Sequence, residues 1–92
     1  MGHILYIDNF GNLITDIKSD DLPDKAGSIT TEVGGQLISG LSRTYADGSG
    51  LLAVIGSSDY LEVSLKGGSA SALLDARVGD EVRLGQQSKG SQ

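Results

Sequence analysis

The sequence predicts a small all-β domain, a closed antiparallel β-barrel of six or seven short strands with one short helix. Three observations carry that expectation. Fourteen glycines stand against a single proline, Pro23, which indicates many tight turns. The apolar residues are mostly aliphatic and come in short runs separated by Gly, Asn, Asp and Ser, the spacing of short strands. A chain of 92 residues buries only about 60–65% of its unfolded surface, and closing the sheet removes edges that a small core cannot cover.

The elements follow in order. His3 to Asp8 is rich in β-branched and aromatic residues and reads as a strand, bounded by the turn formers Asn9, Gly11 and Asn12. Leu13 to Ile17 returns as the second strand. Ser19, Asp20 and Asp21 precede Leu22-Pro23 and suit the cap of a single helical turn. Ser28 to Val33 and Gln36 to Leu41 form a hairpin around Gly34-Gly35, a strong two-residue turn signal. Ser42 to Gly50 is a longer loop that contains Tyr45.

Leu51 to Ile55 is continuously apolar and reads as a strand buried on both faces. Gly56 to Asp59 turns the chain into Tyr60 to Leu65, where Leu61, Val63 and Leu65 alternate with Tyr60, Glu62 and Ser64, the pattern of a half-buried strand. Ser69 is a plausible N-cap for a short helix through Leu74. Val78-Gly79-Asp80 is a turn and Glu81 to Leu84 the last strand. The domain is therefore expected to span residues 1–84, with 85–92 a polar, unpatterned and disordered tail.

Composition excludes several functions. The net charge is −5 and the seven Lys and Arg residues are scattered, so a nucleic-acid partner, which needs cations against phosphates, is not expected. There is no cysteine, hence neither a disulfide framework nor a thiolate metal site. The longest apolar run falls far short of the ~20 residues that span a bilayer. A cytoplasmic location and no membrane partner are the default expectation. His3 is the only histidine and sits beside the N-terminus of the sequence, so a catalytic His at the centre of a Ser-His-Asp arrangement is not expected. The carboxylates Asp16, Asp20, Asp21 and Asp24 lack the spacing of a calcium loop and read as a solvated segment. Gly67-Gly68-Ser69-Ala70 lacks the lysine of a phosphate loop.

Two groups remain as binding candidates. Asp8, Phe10 and Asn12 place a carboxylate, a ring and a carboxamide within five residues on one turn. An Asn amide donates and accepts together, matching the amino group and ring nitrogen of adenine, and a Phe ring can stack on a base. The other account is local: Asp and Asn bond their own backbone in an Asx turn while Phe10 plugs the barrel end. Gly56-Ser57-Ser58 offers consecutive N–H groups and hydroxyls to an anion such as a carboxylate, or is simply a hairpin turn whose hydroxyls bond local amides.

Taken together, Tyr6-Ile7-Asp8-Asn9-Phe10-Gly11-Asn12-Leu13-Ile14-Thr15-Asp16-Ile17, Gly40-Leu41-Ser42-Arg43-Thr44-Tyr45-Ala46-Asp47, Ile55 to Val63 and Gly68-Ser69-Ala70 resemble the C-terminal domain of the S-adenosylmethionine hydroxide adenosyltransferases and their halogenating relatives. The resemblance covers residues 3–84, and Asp-x-Phe-Gly-Asn-Leu-Ile-Thr is its specific part. It implies a closed barrel that supplies half of an active site between subunits of a trimer. The other half is a larger N-terminal catalytic domain, which these residues do not contain.

By the same resemblance, Asp8 holds the methionine amino group, Phe10 lines the adenine pocket and Asn12 bonds the purine. Ser57 and Ser58 meet the methionine end, the backbone near Leu65 and Gly67 meets the adenine edge, and Tyr45 is a second aromatic wall. No catalytic residue, metal or cofactor is implied within the domain; S-adenosylmethionine is the substrate, hydrolysed to adenosine and methionine only with the partner domain. Two departures stand out: Asp16 where the motif has Asn, and Lys66 where hydrolytic members have Asn. Leu65 stands where halogenating members carry Arg, which favours the hydrolytic branch. The alternative is a barrel that has lost its ligand and serves as an interaction or assembly module.

Overall fold

A computed structural model describes residues 2–22, 29–41 and 50–86. Seven antiparallel strands, β1 (Gly2–Ile7), β2 (Leu13–Lys18), β3 (Ile29–Val33), β4 (Gln36–Ser39), β5 (Leu51–Ile55), β6 (Tyr60–Leu65) and β7 (Glu81–Gln86), pair in the order β4-β3-β7-β1-β2-β6-β5. The edge strands β4 and β5 lie against each other, so the sheet curls into a nearly closed barrel. One helix, α1 (Ala70–Leu74), covers one end. The turn after β2 is a single 3-10 turn made by Ser19–Asp21 themselves, with Lys18 as an N-cap that makes no side-chain bond; the Ser-Asp-Asp run forms the turn rather than capping one.

Ile4, Leu13, Ile17, Val33, Ile38, Ala53, Leu61, Val63 and Val82 fill the interior, and Ala70, Leu74 and Ala76 close it at the α1 end. The β3–β4 hairpin turns on Gly34 (φ +58°) and Gly35 (φ +80°), the paired left-handed conformation that a two-residue turn requires and that glycine adopts without strain. Ser69 caps α1 by accepting from Ala72 N–H at 3.1 Å. A register shift between Ile4 and Tyr6 turns both Leu5 and Tyr6 outward, as a bulge does. A second irregularity lies between Ile14 and Lys18 in the β2–β6 ladder. Thr15 bridges it, donating through Oγ1 to Leu61 C=O at 2.8 Å and accepting from Ile17 N–H at 3.1 Å.

Two strand ends and one burial pattern depart from expectation. β4 stops at Ser39, where Gly40 N–H turns to Ile29 C=O at 2.6 Å. β7 runs two residues beyond Leu84 because Gly85 and Gln86 pair with Thr30 and Ile29. β6 is buried on both faces, not one: Glu62 is 8% and Ser64 3% exposed. Their cross-strand neighbours on the same face, Ile14 of β2 and Leu52 and Val54 of β5, are buried as well. Residues 87–92 of the expected 85–92 tail, and residues 42–49 of the expected Ser42–Gly50 loop with Tyr45 among them, lie outside the described residues.

Candidate functional site

The β1–β2 turn is built by Asp8. Its Oδ1 accepts from Phe10 N–H and Asn12 N–H, both at 2.9 Å, and its Oδ2 accepts from the Asn12 side-chain amide at 3.0 Å. Backbone bonds from Gly11 N–H to Asp8 C=O (3.0 Å) and from Asp8 N–H to Asn12 C=O (3.1 Å) close the turn. The local account of Asp8 is thus present in full. The matching account of Phe10 is not: the ring is 77% exposed and plugs nothing, because α1 closes that end of the barrel.

Burial tends to raise the Asp8 carboxyl, but the hydrogen bonds from Asn12 N–H, the Asn12 amide and Phe10 N–H outweigh it and hold the group below its ordinary value of 3.8. A depressed carboxyl stabilises the fold fully above the unfolded pKa, and that contribution disappears as pH falls through the lower folded value. An NMR acid titration is expected to show the Asp8 carboxyl titrating below 3.8, with the Phe10 and Asn12 amides moving in step. An Asp8 carboxyl titrating at or above that value would contradict the turn geometry.

The turn is fastened to α1. Gly11 C=O accepts from Ser71 N–H at 2.9 Å, and a Cβ at Gly11 would meet the Ser69 hydroxyl. The loop after β6 shares this end: Gly68 N–H bonds Leu65 C=O at 3.1 Å, and Gly67 is left-handed (φ +78°). Asp8, Phe10, Asn12, Leu65 and Gly67 therefore gather at one end of the barrel.

Ser57 and Ser58 do not join them. The β5–β6 turn is bound to the far end of β2, through Ser19 N–H to Asp59 C=O (3.0 Å) and Ser19 Oγ to Asp59 Oδ1 (2.7 Å). Both serines are exposed at the tip of this turn. Asn12 precedes Leu13, the partner of Val63, and so stands level with Ser64; Gly56 N–H bonds Tyr60 C=O. At the rise of a β-strand these levels are roughly 13 Å apart.

Between the two groups runs the outer face of β6. Its side chains there are Ser64 and Glu62, and Glu62 reaches the space that a Cβ on Gly56 would fill. These are the polar groups that alternation misplaced: Leu-Glu-Val-Ser-Leu reads as a one-sided strand, and only the continuous apolar run at Leu51–Ile55, its partner strand, hinted that the neighbourhood is buried on both sides. Two surface hollows among the described residues, of about 320 Å³ beside Asp16, Ile17, Asp21 and Leu84 and about 280 Å³ beside Glu32 to Gly35, Glu81 and Arg83, are lined by none of the expected site residues. Among the described residues no cluster of His, Cys, Asp or Glu is placed to hold a metal ion, and no helix is long and apolar enough to cross a membrane.

The fold and this rim define a class: a small antiparallel barrel that displays a rigid aromatic turn at one end. Residues 2–83 match the SAM hydroxide adenosyltransferase C-terminal domain, and the chain belongs to that family. It is similar to a conserved hypothetical protein of known structure from Thermus thermophilus, with 35% identity and a TM-score of 0.71 over 90% of this chain and 34% of that one. An uncharacterized conserved protein from Thermotoga maritima is 27% identical, with a TM-score of 0.75 over 90% of this chain and 34% of that one. The chain thus spans about a third of the length of these solved relatives.

Proposed function

We propose that this domain binds S-adenosylmethionine or its adenosine portion and supplies half of an active site completed by a larger N-terminal domain, in which the substrate and water give adenosine and methionine. The observation that carries this reading is Phe10. Folding hides large apolar groups, yet here an aromatic ring stands exposed on a turn held by three hydrogen bonds to one carboxylate. A rigid ring loses little entropy on stacking, which suits it to a planar base.

In this reading the adenine lies on Phe10. One Asn12 amide N–H is engaged by Asp8; the other N–H and Oδ1 are enough to meet the amino group and neighbouring ring nitrogen of adenine. The backbone at Leu65 and Gly67 borders the base, and the amino-acid end reaches toward Ser57 and Ser58. Asp8 serves by fixing Phe10 and Asn12; with three bonds already accepted, it orients the site more than it grips the methionine amine. The domain alone is not expected to turn the substrate over, because attack at the ribose carbon needs a positioned nucleophile that the partner domain would supply.

The test is an NMR titration of the 92-residue chain with adenosine and with S-adenosylmethionine. Both should shift the Phe10 and Asn12 resonances. Phe10→Ala is expected to weaken binding by about tenfold or more, the scale of one aromatic–base stack, with little change in stability because the ring is exposed. Resonances that stay still at millimolar ligand would instead support an assembly module, a reading favoured by Leu73, exposed on α1 at the same end as Phe10.

A further inference from the structure

We infer that Ser69 is a positioning residue for the ligand turn: through α1 it sets the direction in which the turn presents Phe10 and Asn12, without touching ligand itself. This rests on the binding reading above and gives α1 a part in it. The starting point is what Asp8 leaves undecided. Its carboxylate bonds to Phe10 N–H, Asn12 N–H and the Asn12 amide all lie within the turn, as do the two backbone bonds that close it. They fix the shape of the turn and not its direction relative to the barrel.

The strand that carries the turn does not fix that direction either. β1 pairs with β7 at Gly2 and His3, and at Ile4 it meets the turn at Gly79 and Asp80. Beyond Ile4 its ladder with β2 is irregular, and Leu5 and Tyr6 are exposed. A turn carried on such a strand pair needs an outside support to hold one direction.

The helix α1 is that support. Among the described residues, the hydrogen bond that leaves the turn runs from Ser71 N–H to Gly11 C=O at 2.9 Å. The first amides of a helix have no acceptor inside it, so the Ser71 amide can serve Gly11 while the start of α1 keeps its place. Ser69 keeps it there. Its Oγ accepts from Ala72 N–H at 3.1 Å, its C=O accepts from Leu73 N–H at 3.0 Å, and its side chain rests where a Cβ on Gly11 would stand. The helix itself is seated in the barrel. Ala70 and Leu74 are buried, and Leu74 lies against Gly34 of the β3–β4 hairpin. A line of contacts thus joins the core to Phe10 through Leu74, Ser69 and Gly11.

A support that already holds the turn in its bound direction removes an ordering cost from binding. By reciprocity, ligand must then steady α1 by the same factor. The experiment measures both sides of that coupling. In the unmodified chain, saturating adenosine is expected to slow hydrogen exchange at the Ser71 and Ala72 amides about fivefold. The Ser19 amide, bonded to Asp59 C=O at the far end, should keep its rate. In Ser69→Ala, adenosine should bind about fivefold more weakly under conditions where the chain stays folded, the scale of one lost helix cap. Ile38→Val is the comparison: it trims the buried core on β4 at a similar cost to stability and should leave the affinity unchanged.

Adenosine that shifts Phe10 and Asn12 but leaves Ser71 exchange unaltered would overturn the inference. So would equal affinity in Ser69→Ala and its parent, or an equal loss in Ile38→Val. The exchange measurement needs no variant and decides the matter even if Ser69→Ala fails to fold. If adenosine shifts neither Phe10 nor Asn12, the binding reading itself fails and this inference falls with it.

Discussion

Replacing Gly11 with alanine is expected to destabilise the domain by about 2–3 kcal/mol and to loosen the candidate site at the same time. Two separate costs meet at this position. Gly11 has φ +85°, where a Cβ costs roughly 1–2 kcal/mol. That Cβ would also strike the Ser69 side chain, the N-cap of α1, whose loss costs about 1 kcal/mol. The two parts can be separated. Ser69→Gly on its own should cost a few tenths of a kcal/mol to ~1 kcal/mol, and adding it to Gly11→Ala should recover the steric part while leaving the backbone strain. Urea unfolding of the four proteins gives the cycle. A Gly11→Ala midpoint unchanged from the parent would show that the turn is not fastened to the helix as described.

How much of this was legible in the sequence depends on how local each cause is. Gly34-Gly35 and the Ser69 cap were readable because the turn and the cap are each decided within a few residues. Leu51–Ile55 was readable because a run without polar interruption has no solvent side. The bulge at Leu5 was not: nothing in His3 to Asp8 says that two neighbouring residues will face outward, since the extra residue is absorbed in pairing with β2. Glu62 and Ser64 were misread for the same reason, as their burial is decided by tertiary packing around β6 and not by the residues of β6 itself.

The site divides along the same line. Asp8, Phe10 and Asn12 are close in sequence, and the Asx bonds that organise them follow from residue type and spacing. That Ser57 and Ser58 stand at the opposite end of β6 follows from antiparallel pairing with β2, which spacing along the chain does not reveal. Under the proposed reading all of these residues meet one ligand, which would then run along the strand from one group to the other.

Truncating Leu61 to alanine should have the largest single effect, a loss of about 2–5 kcal/mol. A domain of this length has a total stability of only about 5–14 kcal/mol, so the variant is expected to be close to unfolding at moderate temperature. Leu61 is 0% exposed and sits on a strand held by β2 and β5, whose ladders resist the collapse that would otherwise shrink a cavity. Its carbonyl also receives the Thr15 hydroxyl across the irregular part of the β2–β6 ladder, so movement of β6 to fill the void would break that bond as well. Phe10→Ala removes a larger side chain at almost no cost to folding, and the contrast is diagnostic: thermal melts should show a drop of order 10 °C or more for Leu61→Ala beside near identity for Phe10→Ala. Leu61 alternates with Glu62 on the strand that joins the two halves of the candidate site. Leu61→Ala should therefore weaken adenosine binding by making the folded chain scarcer, with ligand recovering part of the lost melting temperature, whereas Phe10→Ala should weaken it in a chain that melts normally. If Leu61→Ala melted like its parent, the interior described here would not be the core of this domain.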